Sequence, residues 1–271
     1  MPVEARLPDQ DRSFGLYLAQ LSTGIRAWTE KTWNAASSTD RKKQDMLELY
    51  LTGEAKKRQR ELIETLETGP KQNRVIAAAA LGFTREEDVL SPLLNALEDP
   101  EPDVVSNALL GLSLLQSPRT PLGRVSDILR YDPNERMRWS AAYALRVLIE
   151  AGARDKGALD AARAGLADEE PMVRSQCSLI LALLSDAESI PSLTTLVYDE
   201  VPLVGSAAAL ALAHIGREVP GARRPAARAL AQAMRDGDRA LRVRLIAPLR
   251  KLSGQDFGMD VAAWSDWAAT Q

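Results

Sequence analysis

The chain has 271 residues, 45% hydrophobic and 26% charged, with few aromatics and an apolar content carried mostly by Ala and Leu, as expected of a soluble globular protein. One cysteine excludes an internal disulfide and paired-cysteine zinc sites, and one histidine excludes His-rich metal centres and most His-based catalysis. With 34 basic against 37 acidic residues, the net charge is −3, which argues against a polyanion binder as a whole.

Residues 1–10 carry charges and prolines but no apolar run, so no signal peptide is expected there. No stretch approaches the roughly 18 apolar residues of a membrane span, and a cytoplasmic protein is expected. Residues 12–36 read as one amphipathic helix bearing Phe14, Leu18, Leu21, Ile25 and Trp28. Ser38 or Thr39 then caps a second helix near 40–51 with Met46, Leu47, Leu49 and Tyr50.

From about residue 55 a pattern recurs. Asp99, Asp132, Asp168, Asp199 and Asp236 are followed five residues later by Val104, Met137, Val173, Val204 and Leu241, and eight residues after those by Leu112, Leu145, Leu181, Leu212 and Leu249. A degenerate copy places Thr68, Asn73 and Leu81 in the three slots. Counted from the apolar start, the fourth residue on is small (Ala77, Ala108, Ala141, Cys177, Ala208) except for Leu245 in the last copy. These spacings put the start, the small residue and the leucine on one helix face, and the small residue lets a neighbouring helix come close. Before each Asp lies another helical pattern, such as Val89, Leu90, Leu93, Leu94 and Leu97, and Pro100, Pro133, Pro171 and Pro202 are expected to break it. Each unit is thus helix, turn, helix, and one pair cannot bury its own apolar face, so pairs must stack.

The stretches "MRWSAAYALRVL" (137–148), "VRSQCSLILALL" (173–184) and "VGSAAALALAHIG" (204–216) resemble HEAT repeats, particularly the short bacterial HEAT-like repeats also found in phycobilin lyases. The resemblance covers about residues 55–253, and the period suits HEAT units rather than three-helix armadillo units. It implies an all-α fold, an α-solenoid with a right-handed superhelix of about six helix pairs. The division expected is a helical cap over 1–52, a repeat array over 53–253, and a closing loop and helix over 254–271. In HEAT proteins the turn Asp and the second-helix Arg form a ladder between repeats. The complete pairs here are Asp132/Arg138, Asp168/Arg174 and Asp236/Arg242, while Val105 and Gly205 interrupt the series.

Four of the five tryptophans, Trp28, Trp33, Trp264 and Trp267, lie in the flanks, where they are expected to cap the ends of the stack; Trp33 is the best of them for docking a partner. Second helices line the inner surface in the HEAT family, which makes Trp139 and Tyr143 candidate anchors, with Arg136, Arg146, Leu110 and Leu179 around them. Residues 217–251 hold ten basic against three acidic residues, including Arg223, Arg224, Arg228, Arg239 and Arg244, whereas 84–200 hold eleven basic against twenty acidic. The expected function is a non-enzymatic scaffold that binds a protein, with no cofactor and no metal. Two other readings stand beside it: nucleic acid or another acidic ligand at the basic end, and a HEAT-like lyase or glycosylase. His214 has no assignable nucleophile and is expected in a solvent or turn role.

Overall fold

The computed structural model describes residues 8–34 and 38–271, with side chains from 13–31 and from 39 onward. All regular structure among the described residues is helical. The chain divides into two compact units, 1–120 and 121–271.

The first unit holds α1 (Pro8–Asn34), α2 (Ser38–Lys57), α3 (Gln59–Thr68), α4 (Lys71–Thr84), α5 (Leu90–Asn95, with a 3-10 turn at either end) and α6 (Pro102–Leu115). Here α3/α4 and α5/α6 are helix pairs, and α4 packs on α6. Their backbones touch: a Cβ on Gly111 would sit 2.5 Å from the Ala78 carbonyl oxygen, and one on Gly82 would strike the Gly111 backbone.

The expected stripe of α1 is buried from Phe14 to Trp28 against α2 and α4. Tyr17 Oη donates to the Glu54 carbonyl at 2.9 Å and Trp28 Nε1 to Glu48 at 3.3 Å, so α1 and α2 run antiparallel. The Trp28 ring stands edge-on to Phe83 of α4, with centroids 5.2 Å apart. Helix α2 is longer than expected and buries Leu51 and Ala55, leaving Met46, Leu49 and Tyr50 exposed. Met46 and Leu49 thus lie off the face that meets α1, while Tyr50 stands at its border beside Gly24 and Leu47 is half-buried. Trp33 lies outside the residues whose side chains are described.

The second unit holds four pairs: α7 (Gly123–Tyr131) with α8 (Glu135–Glu150), α9 (Lys156–Gly165) with α10 (Pro171–Leu183), α11 (Ile190–Leu196) with α12 (Pro202–Glu218), and α13 (Arg223–Asp236) with α14 (Arg239–Ser253). A last helix, α15 (Val261–Ala269), packs on α13. Pro171 and Pro202 do not end first helices, as the sequence suggested. They open second helices, as Pro102 does in α6. A proline at the first helical position lacks an N–H that would be unpaired anyway.

All six recurring leucines, from Leu81 to Leu249, are fully buried, and so are the six residues of the small slot. Each buried leucine contributes about 2 kcal/mol of apolar transfer. Gly165 of α9 makes room for the Cys177 sulfur, and burial pushes that thiol's pKa far up, so it packs as a neutral group. At the end of the unit Trp264 is fully buried, donates Nε1–H to the Gly258 carbonyl at 3.0 Å, and sits between Phe257 and Trp267. Trp28, Trp264 and Trp267 are therefore packing residues.

Candidate protein-binding surface

The turn between the two helices of a pair is built around its aspartate. Asp99, Asp132, Asp168 and Asp199 each accept the amide of the residue two further on, at 2.8–2.9 Å. This local bond closes the turn and leaves a second oxygen for a partner. Arg74 grips Asp99 through two bonds of 2.8 and 3.0 Å, Arg138 grips Asp168 at 2.7 and 2.8 Å, and Arg174 grips Asp199 at 2.9 and 3.0 Å. The third nitrogen of each arginine donates to a carbonyl of its own turn: Gly69, Asp132 and Asp168. Each guanidinium thus ties its own turn to the next repeat's carboxylate, a bidentate arrangement that fixes the stagger of neighbouring pairs.

Three expected members do not join, and Asp168 and Arg174 join through other partners, Arg138 and Asp199. Asp132 makes its turn bond and lends only its carbonyl to Arg138. Asp236 and Arg242 do not meet: Asp236 accepts from Gln232, Arg242 donates to the Arg235 carbonyl, and Asp238 caps α14 instead. The pairing of Arg74 with Asp99 was missed because Val105 fills the arginine slot of Asp99's own repeat and Thr68 fills the aspartate slot of Arg74's. Also unread in the sequence, Arg163 of α9 pairs with Asp186 at 2.5 and 2.9 Å. Burial works against ionisation of Asp168, but the Arg138 bonds and the Glu170 amide outweigh it, so its pKa lies below the usual carboxylate range. Asp99, Asp186 and Asp199 shift the same way, by the same contest between burial and an arginine.

With the ladder and the leucines facing inward, one face of each second helix is left over. On α8 the rings of Trp139 and Tyr143 lie 6.4 Å apart, both half-buried, and the Arg146 guanidinium sits 5.3 Å from the Tyr143 centroid. Arg146 is held by Gln176 of α10 at 2.8 Å and by Glu150 at 3.1 Å. Leu179 of α10 is half-buried, and Arg136 is exposed at the start of α8. Four of the six expected anchors, Trp139, Tyr143, Arg146 and Leu179, thus share the packed surface of α8 and α10. Leu110, also half-buried, belongs to α6 in the first unit.

Family models for HEAT repeats match residues 59–146 and 159–250, about two thirds of the chain. The chain belongs to the HEAT-repeat family. Solved structures similar to this HEAT-repeat protein include an engineered protein (16% identity, TM-score 0.57, covering 72% of this chain and 96% of that one). A designed armadillo repeat protein in complex with the peptide (KR)4 is also similar (18% identity, TM-score 0.57, 71% and 98%). So are computationally designed armadillo repeat proteins for modular peptide recognition (18%, TM-score 0.54, 70% and 98%). At these identities the likeness is one of fold. Comparison with curated proteins found no match.

The basic end of the HEAT array is not one patch. Arg223 donates to Gln271 at 2.7 Å and lies over the Trp267 ring, which makes it part of the closing helix's attachment. Arg224 and Arg228 are exposed on α13, whereas Arg239 and Arg244 are on α14. None of these four has an ion pair among the described residues. The sequence reading gave no role to Leu203 or Val243, which stand 49% and 56% exposed on α12 and α14. Their positions in the repeat, one before the apolar start and two after it, carried the only signal. His214 of α12 is half-buried, not in a turn. Burial lowers its pKa first, and Lys251 and Arg217 add to this against Glu218. No described group of His, Cys, Asp and Glu side chains could hold a metal ion, and no described helix is long and apolar enough to cross a membrane.

Proposed function

We propose that this HEAT-repeat protein is a non-enzymatic scaffold whose second-helix face in the second unit binds a protein partner. The observation that carries the reading is the pairing of Trp139 and Tyr143 on α8, with Arg146 beside Tyr143 and held by Gln176 of the neighbouring α10. Rigid aromatics that lose little rotamer freedom are the side chains that anchor protein interfaces. A peptide held by one designed armadillo neighbour supports a polypeptide ligand. The buried thiol of Cys177, which needs no disulfide partner, fits a cytoplasmic site of action.

Affinity capture with the full chain, repeated with Trp139→Ala, tests the reading. The expected result is partner affinity about tenfold lower with a melting temperature close to wild type. A retained partner that ignores the substitution, or turnover of a candidate substrate by the purified chain, would overturn it. A second reading, nucleic acid at the basic end, is favoured only by the unpaired Arg224 and Arg228 on α13. It requires binding that weakens steeply with salt, and its absence at low salt removes it.

A further inference from the structure

Helices α12 and α14 pack side by side, and their exposed face carries the largest aliphatic side chains left open on the second helices of this unit: Leu203, Leu210 and Val243. Arg244 occupies the slot three residues past the apolar start of α14. In α10 the same slot holds Gln176, which reaches Arg146 on the preceding second helix, so Arg244 stands on the α12 side of α14. Its Nε is buried with no hydrogen-bond partner, and no carboxylate pairs with its guanidinium among the described residues. At the far end of the groove lie His214, Lys251 and the Arg217–Glu218 pair. The groove is therefore apolar along its length and cationic in its wall and at one end. A guanidinium with an orphaned N–H in such a place lacks a carboxylate.

The protein itself shows what such a groove takes. In the first unit α1 lies along α2 and α4, burying Leu18, Leu21, Ile25 and Trp28. We propose that the α12/α14 groove binds an acidic amphipathic helix of a partner protein, its aliphatic side chains on Leu203, Leu210 and Val243 and its carboxylates on Arg244 and Lys251. This rests on the reading of the second-helix face as a protein-binding surface and names the chemistry of the partner. Nucleic acid fits less well, because the groove offers aliphatic side chains where bases need aromatic stacking platforms, and its cations do not track a phosphate backbone.

The test is selection of a displayed library of peptides of about 18 residues, ~27 Å of helix, on the full chain. Recovered peptides are titrated against wild type, Arg244→Gln and Leu210→Asp, with circular dichroism confirming that both variants fold, and a single-stranded oligonucleotide serves as competitor. The expected peptides are net acidic and helical when bound, and each variant weakens them at least about tenfold. The imidazole resonance of His214, the single histidine of the chain, then titrates at higher pH in the complex, because a carboxylate offsets Lys251 and Arg217. The proposal is overturned if no peptide is enriched, if the enriched peptides are basic, if neither variant matters, or if the oligonucleotide displaces them. Should these fail while partner capture remains dependent on Trp139, the groove assignment falls and the scaffold reading stands. Loss of both removes the reading itself.

Discussion

In the first unit, the slot six residues past the apolar start of α4 holds Ala79, 1% exposed alongside α1; in the second unit, the same slot of α12 holds Leu210, 38% exposed. The next turn repeats the contrast. Phe83 of α4 is buried against Trp28, whereas His214 of α12 is half-buried beside Lys251 and Arg217. What remains open beside α1 is a cavity of about 480 Å³, lined by Ile25, Val75, Ile76 and Ala79 together with the charged Arg26 and Glu30. One repeat geometry thus yields core in one unit and surface in the other. The difference is a helix laid over the face, and it teaches that a slot's chemistry follows its cover rather than its register.

The sharpest way to break this contrast is to put the same charge in both slots. Ala79→Asp buries a carboxylate beside α1 and is expected to cost about 4 kcal/mol, even with Arg26 on the wall of the same cavity, because taking the charge out of water costs several kcal/mol. Chemical denaturation of the first unit would show it, and a loss under about 1 kcal/mol would mean that α1 does not cover the face. Next come the packing tryptophans. Trp28→Ala and Trp264→Ala should each cost about 3–4 kcal/mol, the first freeing α1 and the second α15. Hydrogen exchange that stayed unchanged in those helices would contradict the assignment.

A pH series separates the units at smaller amplitude. The arginine-paired carboxylates have folded pKa values below their unfolded values, so the stability they add is present above an unfolded pKa of about 4 and is lost as pH falls through the folded ones. The second unit holds Asp168, Asp186 and Asp199, with Glu218 and Asp256 paired at its exposed surface, and the first holds Asp99. Amide protection should therefore fail first in the second unit as pH drops toward 3. Asp168→Ala, which leaves Arg138 without its carboxylate, should cost about 2 kcal/mol at neutral pH and blunt that acid sensitivity. The smallest expected effect is on Leu210→Asp, within about 0.5 kcal/mol of wild type, since the side chain already faces water. A large melting loss there would show a covered face in the second unit too.

The helix pairs were readable because each leucine marks a helical period, and burial of all six confirms the register. The ladder was half readable. The aspartates and arginines stood in view, but the arginine of one repeat meets the carboxylate of the next, some 25–30 residues away. Arg74 was hidden by Thr68, and Arg242 stands on the last second helix, with no following repeat to supply a turn aspartate. The basic run from 217 to 251 was legible as charge but not as geometry, since helix phase sends Arg223 to the closing helix and Arg244 toward α12. Trp139 and Tyr143 stood out as large residues in slots that other repeats fill with smaller ones.

Sequence alone determined what repeats: the helices, their turns and the buried leucine row, all set by spacing within a dozen residues, where 3.6-residue periodicity and proline stereochemistry act. Tertiary structure decided which guanidinium found which carboxylate, and whether a given face slot lay under another helix or in water. Those outcomes depend on segments far apart in the chain, and no local pattern encodes what will be laid on top.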